Sequence, residues 1–262
     1  MFGGGQGALF QIVDLLLATG GEIDWADRLS VYNHSEFFPV AVTSIVDTAP
    51  MVINAPSDPV ANALTYQPKV RAPWLCRHHC QLCVVERWQA KCTCPFLHVL
   101  FVCCVVVVQY RANVLKFQLI VTFNCRIVGF EFGFPGVIHD GTILRESFAN
   151  GRYPMHDWEL MLADGAYISV PHCLIPVRRR QGRFFTPQES AVNSMIAYAR
   201  SRVEHVNAWI KQPFGIFNTP FRGSLGLAFA LSTFIVHSVA WGIKARPLLY
   251  PVGPWCHDPA QF

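Results

Sequence analysis

Charge is scarce in this chain: Asp, Glu, Lys and Arg make up 15% of 262 residues, against 52% hydrophobic. So little charge beside so much apolar content excludes a disordered tail, a collagen-like repeat and a long coiled coil. The formal net charge is only +4, a bias that permits a polyanionic partner without requiring one. The opening Met1-Phe2-Gly3-Gly4-Gly5 has no Lys or Arg, and Asp14 interrupts the apolar run behind it. A secretory signal would lack both its charged start and its clean hydrophobic centre. Cysteine is sparse outside one stretch, since seven of the ten (Cys76, Cys80, Cys83, Cys92, Cys94, Cys103 and Cys104) crowd together. That clustering is unlike a disulfide scaffold, and a reducing intracellular compartment is expected. Residues 95–108 are too short to cross about 30 Å of hydrocarbon as a helix, which takes roughly 20 residues. Residues 225–243 are long enough, but Ser232, Thr233, His237 and Ser238 interrupt them, and they read as a buried core helix. No membrane association is expected.

What the chain does contain is a series of apolar elements that end in carboxylates. A short helix is expected over 8–18, then an irregular acidic and aromatic stretch with no catalytic look. Residues 38–46 (FPVAVTSIV) form a β-branched run that ends in Asp47 and is stopped by Pro50, as a buried strand delivering a carboxylate would be. Further strands are expected at 114–123, 126–134 and 160–163, the last running straight into Asp164, and a fifth at 174–177. After Pro135-Gly136, a helical turn opens at His139 with Asp140 near its N-terminus. A basic loop follows from Arg178 to Arg183. Thr186-Pro187-Gln188-Glu189 has the form of a capping box with proline at the first helical position. It opens the longest helix, which runs to Lys211, with Val192, Met195, Ile196, Ala199, Val203, Val206 and Ile210 on one stripe. Arg200, Glu204, Asn207 and Lys211 share the flank beside it.

Asp47, Asp164 and Glu204 thus lie on rigid elements, two at strand ends and one within a helix. Oxygen-only clusters suit hard divalent cations such as Mg²⁺ or Mn²⁺, and a pair of such ions about 4 Å apart activates water and stabilises a leaving oxygen. An isolated aspartate at a strand end also serves as a turn former, and spacing alone leaves that reading open.

In order, the segments SIVDT (44–48), VLKFQ (114–118), PGVIHD (135–140), LADGAY (162–167) and RSRVE (200–204) with Lys211 resemble the DDE superfamily endonucleases of the Harbinger type of transposase. The resemblance implies a ribonuclease H-like α/β fold, with a mixed β-sheet flanked by helices. It implies that Asp47, Asp164 and Glu204 are the catalytic acids and hold Mg²⁺ or Mn²⁺, with Asp140 as a fourth acid in the metal shell or its support. It also implies that Arg200 and Lys211 orient Glu204 and contact DNA phosphate. Arg178, Arg179 and Arg180 are candidates to neutralise the DNA backbone, with Arg183, Arg222, Lys244 and Arg246 beside them.

The chemistry implied is cleavage of DNA phosphodiesters and strand transfer at transposon ends, in the nucleus. The partners implied are DNA, a separate DNA-binding helper and a further copy of the chain. The alternative is a domesticated or decayed relative that binds DNA without catalysis. By domain, residues 1–38 form a short N-terminal remnant and 39–245 the nuclease domain, followed by a tail over 246–262. The nuclease domain is interrupted by a Cys-rich stretch over 70–109 that matches nothing in the family pattern. Val70 and Gln109 are compatible with the two ends of a retained intron read in frame. A zinc-binding insertion using Cys76, Cys80, Cys83, Cys92, Cys94, His78, His79 and His98 is the rival reading, although clean C-x-x-C pairs are lacking.

Overall fold

A computed structural model describes residues 3–19, 21–30, 35, 38–54, 60, 66–67, 112–179 and 181–246. The Cys-rich stretch, Arg180 and the tail beyond Arg246 lie outside the described residues. The sheet is built from β1 (Val42–Ile53), β2 (Tyr66–Gln67), β3 (Ala112–Val121), β4 (Ile127–Pro135), β5 (Leu160–Leu162) and β6 (Cys173–Leu174). The helices are α1 (Gly3–Thr19), α2 (Asp140–Ala149), α3 (Pro187–Lys211), α4 (Gly215–Asn218) and α5 (Leu225–Ala245).

β1 is central: it pairs antiparallel with β3 and parallel with β5. β4 and the short β2 both pair antiparallel with β3, and β6 extends the other edge parallel to β5. Four antiparallel strands joined to a parallel pair, with helices on both faces, make the mixed α/β sheet of a ribonuclease H-like fold, as expected.

Alternation along the strands sorts the core. Ile45, Ala49, Met51, Leu115, Phe117, Leu119 and Val121 point to one face, where Ile196, Ala199, Val203, Val206 and Ile210 of α3 and Ile235, Val236 and Ala240 of α5 cover them. Val46, Ile120, Val128, Met161 and Ala163 point to the other, against Leu144 of α2, Tyr153 and Tyr167. α5 is the one helix among the described residues long and apolar enough to cross a membrane by length and composition. Its Ala228, Ile235, Val236, Ala240 and Ile243 pack into the core.

Four expectations need correction. β1 does not stop at Asp47 but carries it mid-strand and continues through Pro50 to Ile53. The Asn54 amide donates to the Phe221 carbonyl, on the side away from β3. By the two-residue alternation of a strand, the Pro50 nitrogen faces the same way, so the missing N–H costs no bond to β3. The fifth strand, β6, is two residues at Cys173–Leu174 rather than 174–177. Val192 and Met195 are exposed, because the first turns of α3 run past the apolar face of the sheet. Finally, the stretch before β1 is not merely irregular. Arg28, in the 3-10 turn Trp25–Leu29, is buried and pairs with fully buried Glu159 ahead of β5 at 2.6 Å.

Candidate active site

Asp47 lies on the face of β1 that α3 covers, and the helix turns three polar side chains toward it. Arg200 Nη2 stands 3.7 Å from its carboxylate, and Asn207 Nδ2 makes a long contact of 3.5 Å. The Lys211 charge is coupled to it. Advancing about 100° per residue, positions 200, 207 and 211 fall within about 40° of one another. Burial pushes the Asp47 carboxyl up to about 6. Arg200 and the Thr48 amide oppose that rise, while the charges of Asp164 and Asp140 add to it. Burial likewise lowers the Lys211 amine to about 8, against the pull of Asp47, and its Nζ stands 5.4 Å over the Phe117 ring.

The other two aspartates are held differently, Asp164 by its neighbouring backbone and Asp140 by a lysine. Asp164 follows β5 and caps the 3-10 turn Gly165–Tyr167, accepting from the Ala166 amide at 2.6 Å. Asp140 opens α2, where His139 is the N-cap. Lys116, buried in β3, donates to Asp140 at 2.9 Å and to the Ile138 carbonyl at 2.6 Å. The lysine therefore fixes both the proline-glycine turn and the aspartate behind it. Tyr167 and Thr48 share a hydrogen bond of 2.7 Å. Burial, with the charges of Asp47 and Asp140, keeps the Tyr167 phenol protonated far above its ordinary range.

Glu204 stands apart. It is exposed on α3. Of the two cations expected to orient Glu204, Arg200 stands within reach of Asp47 and the charge of Lys211 interacts with it. Among the described residues, no three His, Cys, Asp or Glu side chains gather closely enough to share an ion. The chemistry of the donors nonetheless suits a hard divalent cation. A carboxyl raised by desolvation, with two like charges adding to the rise, gains from added positive charge. Beside it, the Asn207 carbonyl oxygen is buried without a partner. Asp47, Asp164 and Asn207 could hold such an ion.

Of the candidate DNA contacts, Arg178 donates to the Gly165 carbonyl next to Asp164. Arg179 stacks on Phe184, and Arg183 pairs with Glu189 at 3.0 Å. Lys244 pairs with Glu22, while Arg222 and Arg246 are exposed. Sequence reasoning missed Lys116 and gave Asn207 no role. A lone lysine inside the apolar run VLKFQLIV was the available signal for the first. Asn207 had only its place on the flank shared with Arg200 and Lys211.

The sequence profile described as DDE superfamily endonuclease matches residues 104–240. Asp140, Asp164 and Glu204 fall inside that span, whereas Asp47 enters the site through the pairing of β1 between β3 and β5. No curated protein and no solved structure matches the chain. The profile covers more than half of the chain, and the protein belongs to the DDE superfamily endonucleases.

Proposed function

We propose that this chain is a Harbinger-type, transposase-derived nuclease that cuts DNA phosphodiester bonds and transfers the resulting strand. The observation that carries this reading is the placement of Asp47 at the middle of the central strand, with Arg200 at 3.7 Å and the charges of Asp164 and Asp140 acting on it. A carboxyl with a perturbed pKa among further acids on a central strand is a candidate for binding a cation and a substrate. Asp47 and Asp164 would hold Mg²⁺ or Mn²⁺, joined by the Asn207 oxygen and, after a rotamer change on α3, by Glu204. A bound divalent ion supplies an activated water and charge stabilisation at the leaving oxygen. The chain's own groups do the rest. Asp140, fixed by Lys116, adds negative potential behind Asp47, and Arg200 and Lys211 are placed to meet a phosphate beside it. Nuclear residence, self-association and a DNA-binding helper go with this reading.

A second reading, DNA binding without turnover, is favoured by one observation: Arg200 rather than a second acid faces Asp47, while Glu204 points to solvent. Nicking of supercoiled DNA in Mg²⁺ or Mn²⁺ decides between the two. Nicking by the full chain that falls to background in Asp47→Asn, Asp164→Asn and Glu204→Gln supports catalysis. Salt-sensitive DNA binding with no nicking by the folded wild-type chain supports the second reading.

A further inference from the structure

The loop between β6 and α3 encloses a surface pocket of about 400 Å³, within the size range of small-ligand sites. Its walls include Arg178, Arg179, Arg183, Phe184, Phe185 and one carboxylate, Glu189. Phe184 is 81% exposed, an unfavourable place for a large aromatic ring. The ring is nevertheless held: the Arg179 guanidinium lies 4.9 Å from its centroid. That guanidinium is itself anchored by its Nε donating to the Arg183 carbonyl at 3.1 Å. Arg183 is in turn tied to Glu189 in the first turn of α3. The loop is thus braced at its far end by a well-capped helix, with Thr186 and Glu189 completing both bonds of the capping box.

At its near end the loop is tied to the catalytic acids. Arg178 donates to the Gly165 carbonyl, one residue from Asp164. The approach is close enough that a Cβ at Gly165 would lie 3.4 Å from the guanidinium. A cationic, aromatic pocket joined to the loop of a catalytic aspartate suits a ligand that has a π-face and a negative charge. Neutralisation of duplex backbone needs only the arginines; it gives the exposed ring no task.

We infer that this pocket binds an unpaired nucleotide of the DNA substrate, its base stacked on Phe184 and its phosphate met by Arg179 and Arg183, next to the strand cut at Asp164. The inference rests on the proposed action on DNA and adds single-stranded structure as a feature the site selects. Stacking on an aromatic platform accepts any base, so the preference is for unpaired ends or melted steps rather than for a sequence.

The test compares binding of a blunt DNA duplex with that of the same duplex carrying a single-stranded tail that contains 2-aminopurine, using the full chain. The expected result is about tenfold tighter binding of the tailed duplex, with a change in 2-aminopurine fluorescence that reports stacking. Phe184→Ala removes both effects and leaves blunt-duplex affinity unchanged, and Phe184→Trp restores them. The ring is exposed, so neither substitution threatens the fold. Equal affinity of the wild-type chain for tailed and blunt DNA, or a tail preference that survives Phe184→Ala, overturns the pocket while leaving action on duplex DNA intact. If the folded wild-type chain binds neither DNA, the reading of the protein as DNA-acting falls, and the pocket falls with it.

Discussion

Two carboxylates, Glu159 ahead of β5 and Asp47 within β1, are treated in opposite ways, the first fully buried and the second with 21% of its side chain exposed. Glu159 receives Arg28 Nε at 2.6 Å and Nη2 at 2.9 Å, Thr43 Oγ1 at 2.8 Å and the His156 amide at 3.1 Å. Burial by itself would raise it, but hydrogen bonds from Arg28, His156 and Thr43 outweigh burial and hold it below the usual range. Asp47 is lifted to about 6 by desolvation, which one guanidinium at 3.7 Å, the Thr48 amide and a long contact from Asn207 at 3.5 Å do not offset. The difference separates a carboxylate that holds the fold together from one that the fold holds for use. Full satisfaction anchors the segment before β1 to the sheet, and partial satisfaction leaves Asp47 with attraction to spare for an incoming cation.

The largest effect is expected from breaking the satisfied pair. Arg28→Ala strands the buried Glu159 charge, and Glu159→Gln strands Arg28. Each is expected to lower stability by about 3–5 kcal/mol in urea unfolding. A cost below about 1 kcal/mol, the range of surface pairs, would erase the contrast.

Asp47→Asn is expected to do the reverse, stabilising the fold by about 1–3 kcal/mol at pH 8 while abolishing nicking. The sign follows from linkage. The folded-state value of about 6 lies above the ordinary 3.8, so the folded chain binds more protons between those values, and stability falls as pH rises through that window. The stability gap between Asp47→Asn and the wild type should therefore open from about pH 4 to about pH 6 and stay constant above it.

A smaller effect sharpens the electrostatics from the cationic side. Lys211 falls from 10.5 to about 8 in the folded chain, so the unfolded chain holds the extra proton between these values. Its contribution to stability accordingly rises with pH across that window. Lys211→Met should remove the rise, as read from urea midpoints at pH 8 and pH 10. The smallest effect is expected from Thr186→Ala, which removes one bond of the capping box and costs about 1 kcal/mol. It acts far from both carboxylates and should leave nicking by folded protein unchanged.

The sequence made the punctuated elements legible. Thr186 and Glu189 form both bonds of the box their spacing suggested, and Asp164 follows a strand while Asp140 opens a helix, as expected. These features rest on local chemistry over a few residues. The Arg28–Glu159 pair spans 131 positions and has no local signature. Pro50 reads as a strand stop until the sheet partners show which way its nitrogen faces. On α3 the helical flank was correct, but the choice of Asn207 over Glu204 as the neighbour of Asp47 depends on where the strand passes beneath the helix. Helical spacing alone leaves that unspecified.

The most direct test of the account is a ¹³C titration of the Asp47 carboxyl in the full chain, with and without Mg²⁺. A midpoint of about 6 is expected, dropping by at least about one unit when Mg²⁺ is added, because the charged form then gains its partner. A midpoint near the ordinary 3.8 that Mg²⁺ leaves unmoved would contradict the account, making Asp47 another satisfied structural carboxylate like Glu159.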